Sequence, residues 1–450
     1  MCIRDSSYAD RYLFQANVRH DGSSRFAKGY RWGTFPSFSA GWVASEEKFM
    51  KNLKWDWLSF LKLRGSWGML GNERIGSNYF PYIALMSFGN SLFYMADGSV
   101  VSDKTARPAV LAVEDITWET TTSTDLGLDV NFLNNRLQFH FDYYWKETKD
   151  MLLNIEIPYF MGYNNPSTNA GKMSTHGYDI EVAWNDQIGD FKYGVNVNFS
   201  DFLSKIDYMN DGEQISGGKI KRAGVLFNEF YGYVCEGIYQ TQEEVNNSAR
   251  TSTTVTVGDL KYRDISGPDG VPDGVISPEY DRVPLGNSLP RFQYGGSLNA
   301  SYKGIDFSLA FQGIGKQNSY LSTSMVQPLR DNYGNVPAIL EGKYWSPFNT
   351  TEENLAAKYP RLSNVSKSNN YATSNFWMFN GSYFRLKNIT LGYTLPKSWT
   401  QKAGINRARF YVSGSDLFCL SNFPSGWDPE MGTSDYPITT SLVMGIQVNF

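Results

Sequence analysis

The sequence predicts an all-β protein, a transmembrane antiparallel up-and-down β-barrel built here from about 12 strands. Three observations carry this. Apolar and polar residues alternate with a period of two in segments near ten residues long, as strands with one apolar and one polar face require. The polar connections between those segments are alternately short and long. The 450 residues include 12 Trp, 29 Tyr and 29 Phe, yet only 19% are charged, below the roughly 25% usual for soluble domains. The mean hydropathy is nonetheless −0.39.

The composition also excludes. No apolar run approaches the about 20 residues of a membrane-spanning helix. A hydrophobic content of 41% is too high for a disordered chain. The net charge of −4, from 41 basic and 45 acidic residues, comes without a block of one sign, so no nucleic-acid partner is expected. Cys2, Cys235 and Cys419 are too scattered for a disulfide framework or a zinc site. His20, His140 and His176 show no metalloprotease spacing, and no nucleophile elbow, phosphate loop or dinucleotide fingerprint is found. No enzymatic argument starts here.

Taken in order, strands are expected near 11–19, 33–44 and 60–69, rich in Gly and Ser; the 45–58 connection carries Trp55 and Trp57 and a short helix is expected in it. Leu126, Leu128, Val130 and Phe132 then alternate with Gly127, Asp129 and Asn131. After "LNNR", Leu137, Phe139, Phe141, Tyr143 and Trp145 alternate with Gln138, His140, Asp142 and Tyr144. Two such strands across a short Asn-containing turn make a hairpin. Tyr178, Ile180, Val182 and Trp184 meet Phe191, Tyr193, Val195, Val197 and Phe199 across "NDQIGD". Phe292, Tyr294, Leu298 and Tyr302 meet Ile305, Phe307, Leu309 and Phe311 across "KG". Ile389, Leu391, Tyr393 and Leu395 pass through "PKSWTQKAGIN" to Phe410 and Val412. Leu442, Met444, Ile446, Val448 and Phe450 end the chain.

The long connections (72–120, 147–176, 201–290, 317–382 and 418–437) fall on alternate turns, which places them at one end. A soluble sandwich gives no reason for that, whereas an outer-membrane barrel has short periplasmic turns and long external loops. In hydrocarbon every backbone N–H and C=O must pair within the structure, so sheet crosses only as a closed barrel. Outward residues then meet lipid and inward ones water, which reconciles alternation with negative hydropathy. Trp42, Trp145, Trp184 and Trp399 are assigned to the interfacial aromatic girdles.

Six segments resemble SusC/RagA-type TonB-dependent outer-membrane transporters. They are "RYLFQANVRHDGSSRFAKGYRWGTFPSFSAGWVASEEKF" (11–49), "LKLRGSWGMLGN" (61–72), "WETTTSTDLGLDVNFLNNRLQFHFDYYWKETKDMLL" (118–153), "GDLKYRDISGPDGVPDGVISPEYDRVPLGNSLPRFQYG" (258–295), "GSYFRLKNITLGYTLP" (381–396) and "ARFYVSGSDLF" (408–418). They occur in family order and cover essentially residues 8–450. The resemblance implies a barrel of about 22 strands with an N-terminal plug, a TonB box, and a SusD-like surface lipoprotein as a lid over the loops. It implies import of oligosaccharides or peptides, energised by the TonB complex through a plug missing from this chain. The chain matches the C-terminal part of such a barrel. "MCIRDS" lacks a signal-peptide core and departs from the pattern that follows, so residues 1–7 are read as a leader or the start of a fragment, and 8–450 as the barrel domain. The alternatives are a passive outer-membrane porin and a soluble carbohydrate-binding β-protein with a sandwich core.

Three sets of site residues follow. Asp264, Asp269, Asp273 and Asp281, with Gly270 and Gly274 between them, suit a hard cation such as calcium, the one cofactor considered; the EF-hand template fits them only in part, and a solvated turn is the alternative. Trp118, Tyr231, Tyr233, Tyr239, Trp345, Trp377 and Trp427 lie in or beside external loops, where flat rings stack on sugars or anchor a partner, or simply pack the loops. Inward charges such as Arg64, Asp129, Glu181 and Lys387 are expected to line the lumen. Leu442, Met444, Ile446, Val448 and Phe450 resemble the assembly signal read by the barrel-insertion machinery, besides forming the last lipid-facing strand. Deleting Phe450 is expected to impair insertion into the outer membrane, measured as loss of the heat-modifiable folded band; normal assembly of the deletion would count against the signal.

Overall fold

The computed structural model describes residues 2–53, 55–74, 79–210, 212–330, 334–432 and 435–450. Thirteen strands make up its principal sheet: β1 (Cys2–Tyr8), β2 (Tyr12–Gly22), β3 (Trp32–Val43), β4 (Leu58–Asn72), β5 (Glu119–Phe132), β6 (Leu137–Asn154), β7 (Ser167–Ile188), β8 (Phe191–Met209), β9 (Arg291–Tyr302), β10 (Ile305–Lys316), β11 (Tyr383–Thr394), β12 (Arg407–Ser421) and β13 (Ser441–Asn449). Each is hydrogen-bonded to its neighbours in chain order. No helix among the described residues is long and apolar enough to cross a membrane. The chain divides into two compact units, the first comprising 1–184, 201–214 and 222–226, the second the remainder.

Register produces the two faces of the sheet in each unit. In the first, Leu63 lies opposite Leu128, Leu128 opposite Phe141, and Phe141 opposite Ile180. One residue away, Arg64 lies opposite Gly127, Gly127 opposite Asp142, and Asp142 opposite Asp179. Because the side-chain period is two, a slip of one residue would exchange these rows completely. In the second unit Leu391, Val412 and Met444 form an outer row, beside an inner row of Gly392, Tyr411 and Gly445. The outer row is bare: Leu391, Val412 and Met444 are 55%, 42% and 74% exposed. The buried apolar clusters instead gather loop residues, such as Leu260, Met325, Leu340 and Trp377. A soluble sandwich buries its apolar rows between sheets; here they face outward, as a lipid-solvated sheet requires.

The tight turns are built for their geometry. Between β5 and β6, Leu133, Asn134 and Asn135 all have positive φ, a conformation that Asn tolerates. Between β9 and β10, Gly304 sits at φ +91 and a Cβ there would stand 2.7 Å from the Thr394 carbonyl oxygen. The 45–58 connection contains the expected short helix, α1 (Lys48–Asn52).

Several strands run past the segments read from the sequence. β5 begins at Glu119, and its leading residues Thr120, Thr121, Thr122, Ser123 and Thr124 do not alternate. β7 starts at Ser167 and β8 continues to Met209. These extensions lie at the loop ends. Outside the hydrocarbon both faces meet water, so pairing continues after the hydropathy pattern has stopped. The thirteenth strand is Cys2–Tyr8, which pairs with β2 from Tyr8–Tyr12 to Cys2–Val18. Its sequence, CIRDSSY, has no sustained alternation, which is why the pattern begins only at residue 11.

The faces have distinct energetic signatures. Met444→Arg on the outer row is expected to cost about 2–4 kcal/mol in a bilayer, and Ser413→Arg on the inner row less than about 1 kcal/mol. Reversible denaturation in lipid vesicles measures both.

Candidate functional site: inner wall and external loops

The inner row of the first unit carries an ionic network. The Arg64 guanidinium reaches from β4 over β5, with Nε 3.1 Å from Asp129 and Nη2 2.7 Å from the Asp142 carboxylate on β6. It crosses where β5 has Gly127; a Cβ there would fall 2.6 Å from both Arg64 Cζ and Asp142 Oδ1. His140 Nδ1 lies 2.9 Å from Asp129 Oδ1, and Glu181 is the cross-strand neighbour of His140. Arg64, Asp125, Lys62, Gln15 and Ser39 help line a 670 Å³ cavity on this face. Two inward charges expected from the sequence, Arg64 and Asp129, are thus joined.

The second unit presents a different inner surface. Asn196, Asn198 and Ser200 from β8, Gln293 and Ser297 from β9, Gln312 from β10 and Tyr383 line a 500 Å³ cavity without a charged side chain. At its border Arg385, 3% exposed, has Nη2 2.6 Å from Asp428 and Nε 2.6 Å from Glu430. The Glu430 contact lacks hydrogen-bond alignment. Lys387 Nζ is 2.8 Å from Asp416 and 3.4 Å from Glu430, and Gln312 Nε2 donates to Glu430 at 2.9 Å. Two cations and three carboxylates thereby tie the loop residues Asp428 and Glu430 to β10, β11 and β12. Removing one member of such a buried set leaves an uncompensated charge, which costs more than the intact set contributes.

The loop aromatics singled out in the sequence are mostly interior. Trp377 is 1% exposed and stacks on Tyr359 and Tyr371, while its indole N–H donates to the Asn370 carbonyl at 2.8 Å. Tyr233 stacks on Tyr262 in the same cluster, and Trp427 packs against it half-buried. Trp345 is buried with its N–H on Gln240 Oε1, and Trp118 is buried among Phe26, Phe35 and Ile116 with its N–H on the Arg31 carbonyl. Tyr231 and Tyr239 are buried as well. Their faces pack against protein and the three Trp N–H groups named above are engaged, the arrangement that the loop-packing alternative describes. Burial also raises the hydroxyl pKa of Tyr371, and pushes that of Tyr320 up to about 12. Phe88, Tyr94, Phe160, Phe348 and Tyr436 are the strongly exposed loop aromatics; periodicity does not distinguish them from the buried set.

A buried carboxylate organises the same loops. Asp259 accepts from Arg361 Nε at 2.7 Å, Asn370 Nδ2 at 2.9 Å and the Ser366 hydroxyl at 2.8 Å. Asn370 Oδ1 in turn accepts the Leu260 backbone N–H at 2.9 Å. These partners lie more than 100 residues apart in sequence, and no local spacing signals them.

The aspartates singled out as a calcium-like set accept backbone N–H groups of their own loop. Asp281 is buried and accepts the N–H groups of Ile265, Ser266 and Ser277 at 2.7, 3.2 and 2.6 Å. Asp264 accepts from Gly274 N and Asp273 from Val275 N, while Asp269 is exposed. No group of three or more His, Cys, Asp or Glu side chains suited to a metal occurs among the described residues. The residue types fit a hard cation, and in the turns they stabilise Asp264, Asp273 and Asp281 accept N–H groups of their own loop. Cys235 and Cys419 are free thiols, and burial pushes Cys235 up to about 11. Leu442, Met444, Ile446 and Phe450 are all strongly exposed, with Val448 on the same row.

Comparison with known proteins agrees with this geometry. Residues 4–413 match the model of the TonB dependent receptor-like β-barrel family. TonB-dependent receptor P3 of Formosa agariphila is 30% identical over 98% of this chain and 44% of its own length. The TonB-dependent receptor SusC of Bacteroides thetaiotaomicron is 29% identical over 99% of the chain and 43% of its own length. The solved RagAB peptide transporter superposes with a TM-score of 0.79 at 24% identity, covering 99% of this chain and 46% of that one, which supports the fold. The chain therefore spans somewhat under half the length of these relatives. With its alternating strands, bare apolar rows and polar inner wall, it belongs to the TonB-dependent receptor-like β-barrel family of the outer membrane and is similar to SusC.

Proposed function

We propose that this chain supplies part of the barrel of an outer-membrane importer. The importer takes up oligosaccharides or peptides with a SusD-like surface lipoprotein and is energised by the TonB complex through a plug domain. The observation that carries this reading is the division of the strands into a bare apolar row and an inner row of ion pairs and carboxamides. Such a wall suits a polar solute moving through a lipid-embedded protein. The family match favours the plugged, energy-coupled class over a passive porin. The likeness to a peptide transporter and the similarity to SusC leave both substrate classes in the proposal.

A loop hairpin supports the lipoprotein partner. Leu85–Tyr94 pairs with Val100–Val110 in the 73–118 connection. On one of its faces lie Met86, Phe88, Leu92, Tyr94 and Val100, of which Phe88, Leu92 and Tyr94 are the most exposed. Ser87, Ser91, Asp103 and Thr105 lie on the other, together with Phe93 and Val101, which are less exposed than Phe88, Leu92 and Tyr94. Exposed apolar faces of this kind mark interaction sites, and aromatic anchors dominate such interfaces. Phe88→Asp combined with Leu92→Asp is expected to lower recovery of the lipoprotein with the affinity-tagged receptor by about tenfold or more. Ser91→Lys on the opposite face should leave recovery unchanged. Undiminished recovery with the double variant would remove the hairpin from the interface.

A further inference from the structure

Residues 44–57 join β3 to β4 at the short-turn end, where neighbouring strands of the sheet turn in as few as two residues. Both ends of this connection are fastened to the lipid-facing row of the first unit. At one end the Glu47 carboxylate accepts the Tyr12 hydroxyl at 2.6 Å, the Trp42 indole N–H at 3.2 Å and Arg11 Nη1 at 2.8 Å. Tyr12 and Trp42 are cross-strand partners, and Trp42 is next to Leu63 on the same outer row. At the other end Trp55 stacks on Trp57 with ring centroids 5.3 Å apart, and Trp57 stacks on Phe132 at 5.8 Å. Phe132 ends the outer row of Leu126, Leu128 and Val130.

The described residues between these fastenings therefore lie beside the outer row of the first unit. The segment is amphipathic. Phe49 and Leu53, four residues apart and so on one side of α1, are exposed, as are Trp55 and Trp57. Lys48 and Lys51 provide the polar side, and Lys51 Nζ pairs with Glu46 at 2.5 Å. Glu46 pairs with Lys51 and Glu47 with Arg11, while Asp56 lies exposed between the two tryptophans. Glu47 is also held below the usual carboxylate range by its hydrogen bonds from Tyr12 and Trp42.

We propose that residues 47–53 and 55–57 form an interfacial anchor lying in the headgroup region of the periplasmic leaflet, with the phospholipid surface as its partner. Continuity with the lipid-facing row at both ends favours lipid over a protein occupant. An indole is suited to that layer because its ring is apolar while its N–H stays near water. Lysine side chains reach outward from such a position with their stems along the apolar boundary. The anchor fixes the depth at which β3, β4 and β5 enter the bilayer.

The test uses outer-membrane vesicles carrying the receptor with Cys2, Cys235 and Cys419 replaced by Ser. Phe49→Cys and Leu53→Cys variants are labelled with an environment-sensitive fluorophore and compared with Lys51→Cys on the polar side and Asp190→Cys in the β7–β8 turn. A nitroxide attached near the phospholipid headgroup is expected to quench the labels at 49 and 53 about threefold or more strongly than those at 51 and 190, with the reverse order for a water-soluble quencher. Labels at 49 and 53 as open to the aqueous quencher as that at 190 would overturn the proposal. So would labels shielded from both quenchers, which would mean that protein covers the segment. If labelling at 49 or 53 prevents assembly, intrinsic tryptophan emission replaces the label. Quenching by brominated phospholipid is then compared between the unlabelled receptor and its Trp55→Phe plus Trp57→Phe variant. A smaller quenched fraction in the double variant supports the anchor, and an unchanged fraction overturns it.

Discussion

The backbone's need for hydrogen-bond partners where no water is available is the constraint on which the rest depends. An unpaired amide in hydrocarbon costs several kcal/mol, so where no described helix is long and apolar enough to cross, a spanning segment is a strand that needs a neighbour on either side. Once the strands pair, the pleat sends successive side chains to opposite faces. The apolar row of Leu391, Val412 and Met444 and the polar row that holds Arg64, Asp129 and Asp142 are two results of the same pairing rule. Fold and inner chemistry are therefore not independent features. A one-residue slip would place the Arg64 network in lipid and the leucines in water.

The loops are released from that constraint and obey another. They lie in water and are long enough to form small cores of their own, as Trp377 does with Tyr359 and Tyr371 and as Asp259 does with Arg361, Ser366 and Asn370. The Arg385 cluster joins the two regimes by tying Asp428 and Glu430 to wall strands. In the first unit Glu47 performs a related task at a short connection, collecting the polar ends of Tyr12 and Trp42 and holding the segment against the outer row.

The strand rows were legible because lipid imposes a period on the sequence itself. Leu126 to Phe132 and Leu442 to Val448 fall on the rows their alternation predicts. Legibility ended where the solvent no longer differs between faces, as in Thr120–Thr124, and in Cys2–Tyr8, which pairs along β2 but carries no sustained alternation. Loop function was harder to read for a different reason. Trp345 and Phe348 are three residues apart in the same loop, yet one is buried and the other 96% exposed. Only packing against segments distant in sequence decides which. The aspartates show the same limit, since Asp281 fits a cation or three backbone N–H groups equally well until the loop's path is known. The Glu47 contacts offered one weak sign, an acidic residue five positions after a Trp at a strand end.

The central claim is that alternate residues of the strands face lipid and water. Single-cysteine spin labels along β13, from Ser441 to Asn449 in the membrane-embedded receptor, test it most directly. A period of two is expected, with Leu442, Met444, Ile446 and Val448 accessible to oxygen dissolved in the bilayer, and Val443, Gly445 and Gln447 more accessible to a water-soluble relaxant. Uniform aqueous accessibility along the strand, or a reversed phase, would contradict it.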